Sequence, residues 1–423
     1  MLGGLALYVT TLYCGPRQRT GQGRGREGAG LYPELGFFGF CEGYSPALAS
    51  EVARQAALLP SFELARRELL RRGVGLDIKV VHGLSLRLGQ EVLTARKRDL
   101  LRWRAGLLDA GAELSGKRVA VAVDGGRVRL RERLRAQKGR GKHKTKRRGW
   151  RAEWREPKKF VIFELDARGR MKKGTRPFID GTLEGPDALI ELLAMRLHQL
   201  GAGQARELVF AADGGPWIWN RLDWAVARLG LAPERVEKVL DYCHAVHHVG
   251  LALDALGFGI EARERVYRRH KRHVYRGRPD LLLRELKEYA KGKRRSNPVW
   301  GEIEYFEKHA AHMEYARLRR SGKPMGSGAV ESAIRRVLNQ RLKGNGIMWK
   351  AENAEAMMVL RGTVLSDRWD ETLERVRAMM ATDRRIDWHW SSPHPQSDVN
   401  AASDAQTPPV QLLEPKQART RTA

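Results

Sequence analysis

The sequence predicts an α/β fold in which a mixed sheet is flanked by helices. Two segments carry most of this prediction, VAVAVD at residues 119–124 and VFAAD at residues 209–213. Both are short apolar runs, as expected of strands buried in a sheet. Segments with helical periodicity lie at about 186–200 and 216–229. Strands that alternate with helices of this length are typical of α/β proteins.

The region before the first strand is predicted to be helical. Residues 45–58 and 61–73 each show an amphipathic helical pattern, with Ser61 as N-cap and Gly73 as end of the second helix. A further helix is expected at about 89–103. Two short helices joined by Leu-Pro-Ser fit a helix-turn-helix that reads DNA, and they fit a basic helical scaffold equally well. The base-reading candidates would be Arg66, Arg67, Arg71 and Arg72.

Three antiparallel strands are expected at the start of the α/β region. The first ends at Asp124, and after a Gly125-Gly126 turn the alternating segment RVRLRER is predicted to complete a hairpin with it. KKFVIFELDARG, from residue 158, is the predicted third strand. A helix, the strand ending at residue 213, a second helix and the strand RVEKVLD follow. This order matches that of ribonuclease H-like domains.

The rest of the chain divides by composition. Residues from about 261 to 316 are charged and helical without a strand signal, which predicts an insertion, and the last helix of the core is expected to begin near Ser327. The predicted organisation is a flexible basic N-terminus (1–30), a helical DNA-binding region (31–115), the ribonuclease H-like core (116–258), the helical insertion (259–320), the final core helices (321–390) and a disordered tail (391–423).

The 423-residue chain carries a formal net charge of +29. Such a charge favours a nucleic acid partner, because lysines and arginines beside phosphates release condensed counterions. The three cysteines, Cys14, Cys41 and Cys243, lack the spacing of a disulfide framework or of a Cys₄ zinc site. The sequence shows neither a signal peptide pattern nor an apolar run of membrane-spanning length. These features predict a cytoplasmic protein without a membrane partner.

Two aspartates hold equivalent positions at strand ends. Asp124 ends VAVAVD and Asp213 ends VFAAD, and two glycines follow each of them. Each aspartate alone is explained by an Asp-Gly turn. As a pair they indicate a cation site, because phosphodiester chemistry uses two divalent ions held by carboxylates from different elements. The glycines are expected to let backbone and phosphate approach closely.

The third carboxylate is less evident. Glu331 lies in the first turn of the helix predicted to begin at Ser327, where the helix dipole favours an acid. Acids also occupy first turns for stability alone, so the position does not by itself indicate catalysis. Four other glutamates are alternatives: Glu302, Glu304, Glu352 and Glu355.

Three sequence blocks resemble a known family. GSGAVESAIRRVLNQRLKGNGIMW, residues 326–349, resembles the third catalytic block of bacterial insertion-sequence transposases of the ISKra type. VAVAVDGGRVRLRER and LVFAADGGPWIW are similar to the first and second blocks, and REGAGLYPELGFFGF and SPALASEVARQAALLPS to the N-terminal stretch. The resemblance spans roughly residues 24–370.

The resemblance implies a DDE-type DNA transposase that cleaves the ends of an insertion sequence and joins them to target DNA. It implies that Asp124, Asp213 and Glu331 bind two Mg²⁺ or Mn²⁺ ions. The implied partners are the terminal inverted repeats and target DNA, on which the protein acts as a homodimer or higher assembly. The implied location is the bacterial cytoplasm, in association with the nucleoid.

Basic residues are concentrated beside two of these acids. Residues 131–150 contain ten Lys or Arg and a single Glu, which predicts a phosphate-binding loop or, alternatively, a solvated loop. Basic and amide side chains also follow Glu331. The DNA-binding candidates are Lys138, Arg140, Lys142, Lys144, Lys146, Arg147, Arg148, Arg335, Arg336, Asn339, Arg341 and Lys343.

Accessory roles are expected for the segment DYCHAVHH. Asp241 and His244 are similar to a D-x-x-H arrangement of several DDE transposase groups, which implies that they brace the insertion or contact DNA. The alternative is that Asp241 only caps a helix. Cysteine and histidine pairs share helix faces here, but a zinc site would need further ligands. Trp217 and Trp219 either stack on unpaired bases or belong to the core.

Two other functional classes use part of this pattern. A ribonuclease H-like nuclease or resolvase would need the same acids but no large helical insertion. A domesticated, non-catalytic DNA-binding protein would need the basic surface but not the acids. Short inverted repeats in the DNA that flanks the coding region would favour the transposase.

Overall fold

The computed structural model describes residues 44–134 and 149–387, and the described residues up to Ala381 belong to one compact unit. The predictions for residues 1–30, for the basic residues from Lys138 to Arg148 and for the tail from residue 391 lie outside the described residues. The seven described strands are β1 (Arg118–Gly125), β2 (Val128–Arg133), β3 (Trp150–Arg155), β4 (Lys158–Glu164), β5 (Phe178–Thr182), β6 (Glu207–Ala212) and β7 (Val236–Leu240).

Five of these strands form a mixed sheet in the order β5-β4-β1-β6-β7. The central strand, β1, pairs antiparallel with β4, and β4 pairs antiparallel with β5. On its other side β1 pairs parallel with β6, and β6 pairs parallel with β7. Residues 119–123 of β1 are at most 1% exposed, so both faces of the strand are covered. The predicted α/β class, a mixed sheet flanked by helices, is confirmed.

β2 and β3 form a separate antiparallel pair, which we call the β2–β3 ribbon. The predicted hairpin between β1 and β2 is therefore wrong. The chain does not reverse at Gly125-Gly126. Instead, the Gly126 N–H donates to the Pro157 carbonyl at 2.8 Å, and both chain segments continue from the main sheet into the ribbon. The alternation of RVRLRER correctly predicted a strand, but alternation carries no information about which strand is its partner.

The third antiparallel strand of the sheet is β5, which was not predicted. Its sequence, FIDGT, is short and contains the turn pair Asp180-Gly181. The aspartate is 3% exposed and pairs with two buried arginines, which offsets the cost of burying its charge. A Cβ at Gly181 would lie 2.4 Å from the Lys158 carbonyl oxygen, so the close pairing of β5 with β4 requires glycine.

The helices predicted at 186–200 and 216–229 are confirmed. A π-helical turn, Arg335–Asn339, continues the eleventh helix. No helix in the described ranges is long and apolar enough to cross a membrane. The described α-helices are α1 (Pro46–Leu58), α2 (Phe62–Arg71), α3 (Ile78–Arg104), α4 (Pro186–Gln199), α5 (Pro216–Arg228), α6 (Tyr242–Leu256), α7 (Ile260–Tyr275), α8 (Pro279–Tyr289), α9 (Val299–His309), α10 (Tyr315–Arg320), α11 (Gly328–Ile334), α12 (Ala351–Leu365) and α13 (Trp369–Asp387).

The second helix begins at its predicted cap, Ser61, and the first is capped by Ser45, where its predicted range starts. The Ser45 hydroxyl accepts from the Leu48 N–H at 3.3 Å, and the Ser61 hydroxyl accepts from the Leu64 N–H at 3.1 Å. Val52 and Leu69 are fully buried where α1 and α2 pack against α3. The four candidate base-reading arginines of this region, Arg66, Arg67, Arg71 and Arg72, all form ion pairs with Glu51, Glu63 or Glu68. Such exposed pairs are weak and leave both interpretations of α2 open.

Helix α3 begins at Ile78, well before the predicted start near Gly89. The Asp77 side chain caps it by accepting from the Lys79 N–H at 2.7 Å. Gly89 lies inside the helix at its crossing with α12, where a Cβ would be 2.8 Å from the Ala356 Cβ. The glycine that suggested a helix boundary is therefore a close contact between two helices.

Residues 260–320 form the four helices α7 to α10 and contain no strand, as predicted for the insertion. Helix α8 packs against both α7 and α9, α10 packs against α7, and both α7 and α9 contact α6. Their interior includes Val274, Leu286 and Phe306, each fully buried. The interior of the insertion is therefore apolar and continuous with the core of the sheet region, and α6 provides much of the contact between them.

Two buried histidines should make the protein less stable in mild acid. Burial lowers the pKa of His270 to about 4 despite its contact with Glu285, and burial, with the charge of His312, lowers the pKa of His309 to about 4. Between the ordinary value of 6.5 and about 4, the unfolded chain binds more protons than the folded chain. Stability is therefore lost as the pH falls through this window, by at most roughly 1.4 kcal/mol per pH unit for each histidine.

Urea unfolding at pH 7 and pH 5 measures this effect. The double variant His270→Leu/His309→Leu should show a shallower loss of stability than the unsubstituted protein. The variant His247→Leu is the control, because His247 is exposed on α6. Equal pH dependence of all three proteins would contradict the prediction.

Candidate active site at the carboxyl ends of two parallel strands

The two predicted aspartates lie next to each other at one edge of the sheet. β1 and β6 are neighbouring parallel strands, and Val123 is in register with Ala212. Asp124 follows the first of these residues and Asp213 follows the second. Because the carboxyl ends of parallel strands meet at the same edge, the strand pairing brings both carboxylates together. Each side chain is half-buried.

The backbone after each aspartate orients its carboxylate. The Gly125 N–H donates to Asp124 Oδ1 at 2.6 Å, and the Gly215 N–H donates to Asp213 Oδ1 at 3.0 Å. Each hydrogen bond fixes Oδ1 of its carboxylate and does not involve Oδ2. Both aspartates thus have the local turn geometry that Asp-Gly sequences favour, and they retain an oxygen for a ligand.

The glycines after the aspartates have a packing role. A Cβ at Gly126 would lie 2.3 Å from Leu338 Cδ1, and a Cβ at Gly214 would lie 2.0 Å from Tyr305 Cε2. The space beside these glycines is thus occupied by protein side chains. The sequence predicted room for phosphate beside these glycines. The π-helical turn after α11 and the insertion helix α9 occupy that room instead.

Glu331 is exposed in the first turn of α11, which packs against β1 and β4. Its negative charge acts on Asp124, at the edge of the sheet where the two aspartates lie. The pKa of Asp124 is raised to about 6, mainly by burial and in smaller part by the negative charges of Asp213 and Glu331, while the Gly125 N–H and His244 oppose the rise. The charges of Asp213 and Glu331 therefore both act on Asp124, and the three carboxylates form one region of negative charge.

Asp241 braces the segment that carries Glu331. It is 2% exposed and caps α6 by accepting from the His244 N–H at 2.9 Å, as the simpler interpretation predicted. Its other oxygen accepts from the Ser327 hydroxyl at 2.8 Å and from the Ser327 N–H. A Cβ at Gly326 would lie 2.8 Å from that oxygen. Asp241 therefore joins the start of α6 to the start of α11, and His244 lies close enough to influence Asp124.

Replacing Asp241 with alanine should misplace Glu331. The change leaves three buried donors, on Ser327 and His244, without their acceptor, which should lower the free energy of unfolding by about 2–4 kcal/mol. Under the DNA cleavage function that we propose below, cleavage by the folded variant should fall by about a hundredfold, because small displacements of reacting groups have effects of this size.

The DNA dissociation constant of the Asp241→Ala variant should stay unchanged, which separates a positioning role from general loss of structure. Asp254→Ala provides the control on the same helix, since Asp254 is exposed and, within the described residues, its ion pair is with Arg263. A variant with normal cleavage would show that Asp241 caps a helix and does nothing further.

The four alternative glutamates differ in their surroundings. Glu355 pairs with Arg96 at 2.7 Å and accepts from the Leu183 N–H, so both of its oxygens are engaged. Glu304 and Glu352 are exposed. Glu302 is held by His248 Nδ1 at 2.7 Å, and it lies near Asp213 because both charges contribute to a raised pKa of Tyr305, whose main cause is burial. Glu302 is thus the strongest competitor of Glu331.

Among the residues that the structure describes, no three Asp, Glu, His or Cys side chains are close enough to hold a metal ion. This applies to the three carboxylates and to the Cys243 and histidine pairs of α6. The donor chemistry of Asp124, Asp213 and Glu331 nevertheless fits a hard divalent cation, which prefers carboxylate oxygens. A bound cation would stabilise the ionised form of Asp124, whose pKa the charges of Asp213 and Glu331 help to raise.

The basic side chains after Glu331 divide into two groups. Arg335, Asn339 and Lys343 are exposed, and Arg336 is half-buried. Arg341 is different, and its assignment to DNA binding is corrected here. It is 3% exposed, its Nε donates to the Ala56 carbonyl at 3.2 Å, and its guanidinium lies 4.4 Å from the Phe62 ring centre. Burial lowers its pKa to about 10, and it holds α1 and α2 against the core.

The two tryptophans after Asp213 are packed. Trp219 is 7% exposed, stacks on His312 and donates from Nε1 to the Asp213 carbonyl at 2.5 Å, so it belongs to the core. Trp217 is half-buried, and Lys158 Nζ lies 4.6 Å from its ring centre. Among the described residues Trp224 of α5 is exposed, and so are Trp150 and Trp154 of β3, two residues that the sequence patterns did not single out. The alternation of WRAEWR was the signal that could have found them.

The fold and this site define an α/β protein with a carboxylate cluster at the carboxyl ends of neighbouring parallel strands. Comparison with known proteins extends this no further, since no protein-family model and no curated protein matches the chain.

Proposed function

We propose that the protein is a DDE-type DNA transposase that uses Asp124, Asp213 and Glu331 as its catalytic acids. The observation that carries the proposal is electrostatic. The pKa of Asp124, raised mainly by burial, is raised further by Asp213 and by Glu331. Two acids, one after a neighbouring strand and one on a helix, thus act on Asp124 although long stretches of sequence separate them from it. Ion-pair networks for stability bring opposite charges together, whereas this cluster brings like charges together.

The sheet supports the same proposal. Three antiparallel strands, β5, β4 and β1, are followed by two strands parallel to β1. We propose that this is a ribonuclease H-like core, with one acid on the central strand, one after its parallel neighbour and one on a helix packed beside them. The helical insertion α7–α10 between Asp213 and Glu331 agrees with the transposase and is not needed by a simple nuclease.

The three carboxylates would hold two Mg²⁺ or Mn²⁺ ions, which activate the attacking oxygen and stabilise the leaving oxygen of the phosphodiester. The protein's own groups hold this arrangement. The Gly125 and Gly215 N–H groups each orient one aspartate, and Asp241 fixes the start of the helix that carries Glu331.

DNA would be held by the basic surface around the acids. Arg335, Asn339 and Lys343 are exposed on the segment that follows Glu331, where they can contact phosphates on either side of the scissile bond. The net charge of +29 supports a polyanionic partner of this kind. We further propose that the assembly on DNA contains two or more copies of the chain, each bound to one terminal inverted repeat.

Cleavage of flanking DNA tests this function. Duplexes that carry the sequences on either side of the coding region are incubated with the full chain and Mg²⁺. The expected products are a cut at the repeat end with a free 3′ hydroxyl and, when plasmid is added, strands joined to it. Cutting without joining would indicate the nuclease alternative, and binding without cutting would indicate a non-catalytic DNA-binding protein. A scrambled duplex and a reaction with EDTA are the controls.

A further inference from the structure

The β2–β3 ribbon has two chemically different faces. Residues directly opposite in an antiparallel pair lie on the same face, and alternate residues of a strand lie on opposite faces. Arg129 pairs with Trp154, Arg131 with Ala152 and Arg133 with Trp150. One face therefore carries three arginines and two tryptophans and no acid. We call the five residues Arg129, Arg131, Arg133, Trp150 and Trp154 the Arg–Trp face.

The opposite face contains the apolar and acidic residues of the ribbon. Val128 and Leu130 are 0% and 5% exposed and attach the ribbon to the core. Glu132 and Glu153 both lie within 4 Å of Arg155, at 3.7 and 3.5 Å. The acids are thus sorted to this face, which also carries Arg151 and Arg155. A general solvated surface would mix both signs on both faces, so the sorting indicates a specific anionic partner for the Arg–Trp face.

Both tryptophans of the ribbon are accessible to solvent. Trp150 is 46% exposed and Trp154 is 55% exposed. The guanidinium of Arg131 lies 4.7 Å from the Trp150 ring centre and that of Arg133 lies 5.9 Å from it. Within the described residues none of the three arginines of this face forms an ion pair with an acid. Exposed aromatic rings among unpaired arginines combine base stacking with phosphate binding.

The ribbon is fixed next to the carboxylate cluster. β2 begins at Val128, just after Asp124 and its two glycines. Its backbone is also tied to the segment that follows Glu331, since the Trp349 N–H donates to the Arg129 carbonyl at 3.0 Å and the Arg131 N–H donates to the Trp349 carbonyl at 2.8 Å. The segment that follows Asp124 and the segment that follows Glu331 therefore both contribute to the base of the ribbon.

We propose that the Arg–Trp face binds an unpaired DNA strand near the cleavage site, with bases stacked on Trp150 and Trp154 and phosphates bound by the arginines. The two rings lie four positions apart on one strand, about 13 Å in extended backbone, so they contact different bases. A duplex hides its base faces, and only an unpaired strand offers them for stacking. The proposal rests on the transposase function for the origin of that strand, but its binding test is independent of cleavage.

The test is binding of the full chain, in EDTA, to a fluorescent 15-nucleotide DNA strand, to the corresponding duplex and to an RNA strand of the same sequence. The double variant Trp150→Ala/Trp154→Ala should bind the DNA strand at least about tenfold more weakly, with duplex binding changed by less than about twofold. Trp150→Phe/Trp154→Phe should retain most binding, because the stacking surface remains.

A matched pair of arginine variants tests the sorting of the two faces. Arg131→Gln should weaken strand binding and lower its log–log salt dependence by about 0.7, the value for one phosphate on a single strand. Arg151→Gln makes the same change on the opposite face of the same ribbon and should have no effect. Equal effects of both substitutions would overturn the proposal.

Two results with the tryptophan variants would also overturn it: unchanged strand binding, or equal weakening of strand and duplex binding. Tighter binding of RNA than of DNA by the unsubstituted protein would overturn it as well. Loss of strand binding in these variants would support the Arg–Trp face even if no cleavage of flanking DNA is found. Conversely, cleavage by a protein whose tryptophan variants bind normally would leave the transposase function intact and reject this proposal.

Discussion

Replacing Asp124, Asp213 or Glu331 with its amide is expected to reduce DNA cleavage at least about a thousandfold, since metal-bound carboxylates account for several kcal/mol of transition-state stabilisation. The amide keeps the shape of each side chain and removes its charge. DNA binding should stay close to normal, because the grip on phosphates is distributed over many cations. Cleavage is measured on a flanking-sequence duplex, and binding on the same duplex in EDTA.

Two glutamate variants sharpen this prediction. Glu304→Gln is the matched control, because Glu304 is exposed on α9 and outside the carboxylate cluster. Glu302→Gln tests the competing third acid, which lies near Asp213 and is held by His248. Normal cleavage by Glu331→Gln together with loss in Glu302→Gln would transfer the third position to Glu302. Normal cleavage by both aspartate variants would reject the active site altogether.

Asp180→Ala is expected to lower the free energy of unfolding by about 3–5 kcal/mol, the cost of leaving buried charges without their partner. Asp180 accepts from Arg96 at 3.0 Å and from Arg196 at 3.1 Å, and it is 3% exposed. Burial alone would raise the pKa of this carboxyl, yet the two arginines hold it below its usual range. Without Asp180 the edge strand β5 would retain two cationic neighbours and lose the anion between them.

Urea unfolding measures this effect at neutral pH. Asp187→Ala is a suitable control, because Asp187 forms an ion pair with Arg221 but is 82% exposed, and such pairs contribute at most about 1 kcal/mol. A similar, small loss of unfolding free energy in both variants would show that solvent or a rearrangement stabilises the arginines when Asp180 is absent. In the sheet β4 lies between β5 and β1, which carries Asp124, so DNA cleavage by the folded Asp180→Ala protein should stay close to normal.

Local signals in the sequence predicted the elements that depend on local physics. Ser45 and Ser61 act as caps, and the apolar runs of β1 and β6 form buried strands, because these features involve neighbouring residues only. The pairing of β2 with β3 and the addition of β5 to the sheet depend on residues distant in the chain. Periodicity and composition do not encode those partners. Gly89 suggested a helix boundary because its contact with α12 is tertiary and cannot be recognised from neighbouring residues.

The same division applies to the candidate site. The positions of Asp124 and Asp213 at strand ends followed from the strands themselves, and the parallel register then brought them together. The environment of Glu331 depends on how α11 is held, and hence on Asp241 and Ser327. The burial of Arg341 beneath Phe62 depends on the N-terminal helices, so a basic motif alone could not separate it from the exposed Arg335 and Lys343.

The central claim is that Asp124, Asp213 and Glu331 together form one cation site. Binding of Mn²⁺ to the full chain, followed by electron paramagnetic resonance in the absence of DNA and again with a flanking-sequence duplex, measures it most directly. The account predicts binding by the unsubstituted protein and by Glu304→Gln, and its loss in Asp124→Asn, Asp213→Asn and Glu331→Gln at concentrations that saturate the unsubstituted protein. Mn²⁺ binding that is equal in all five proteins would contradict it.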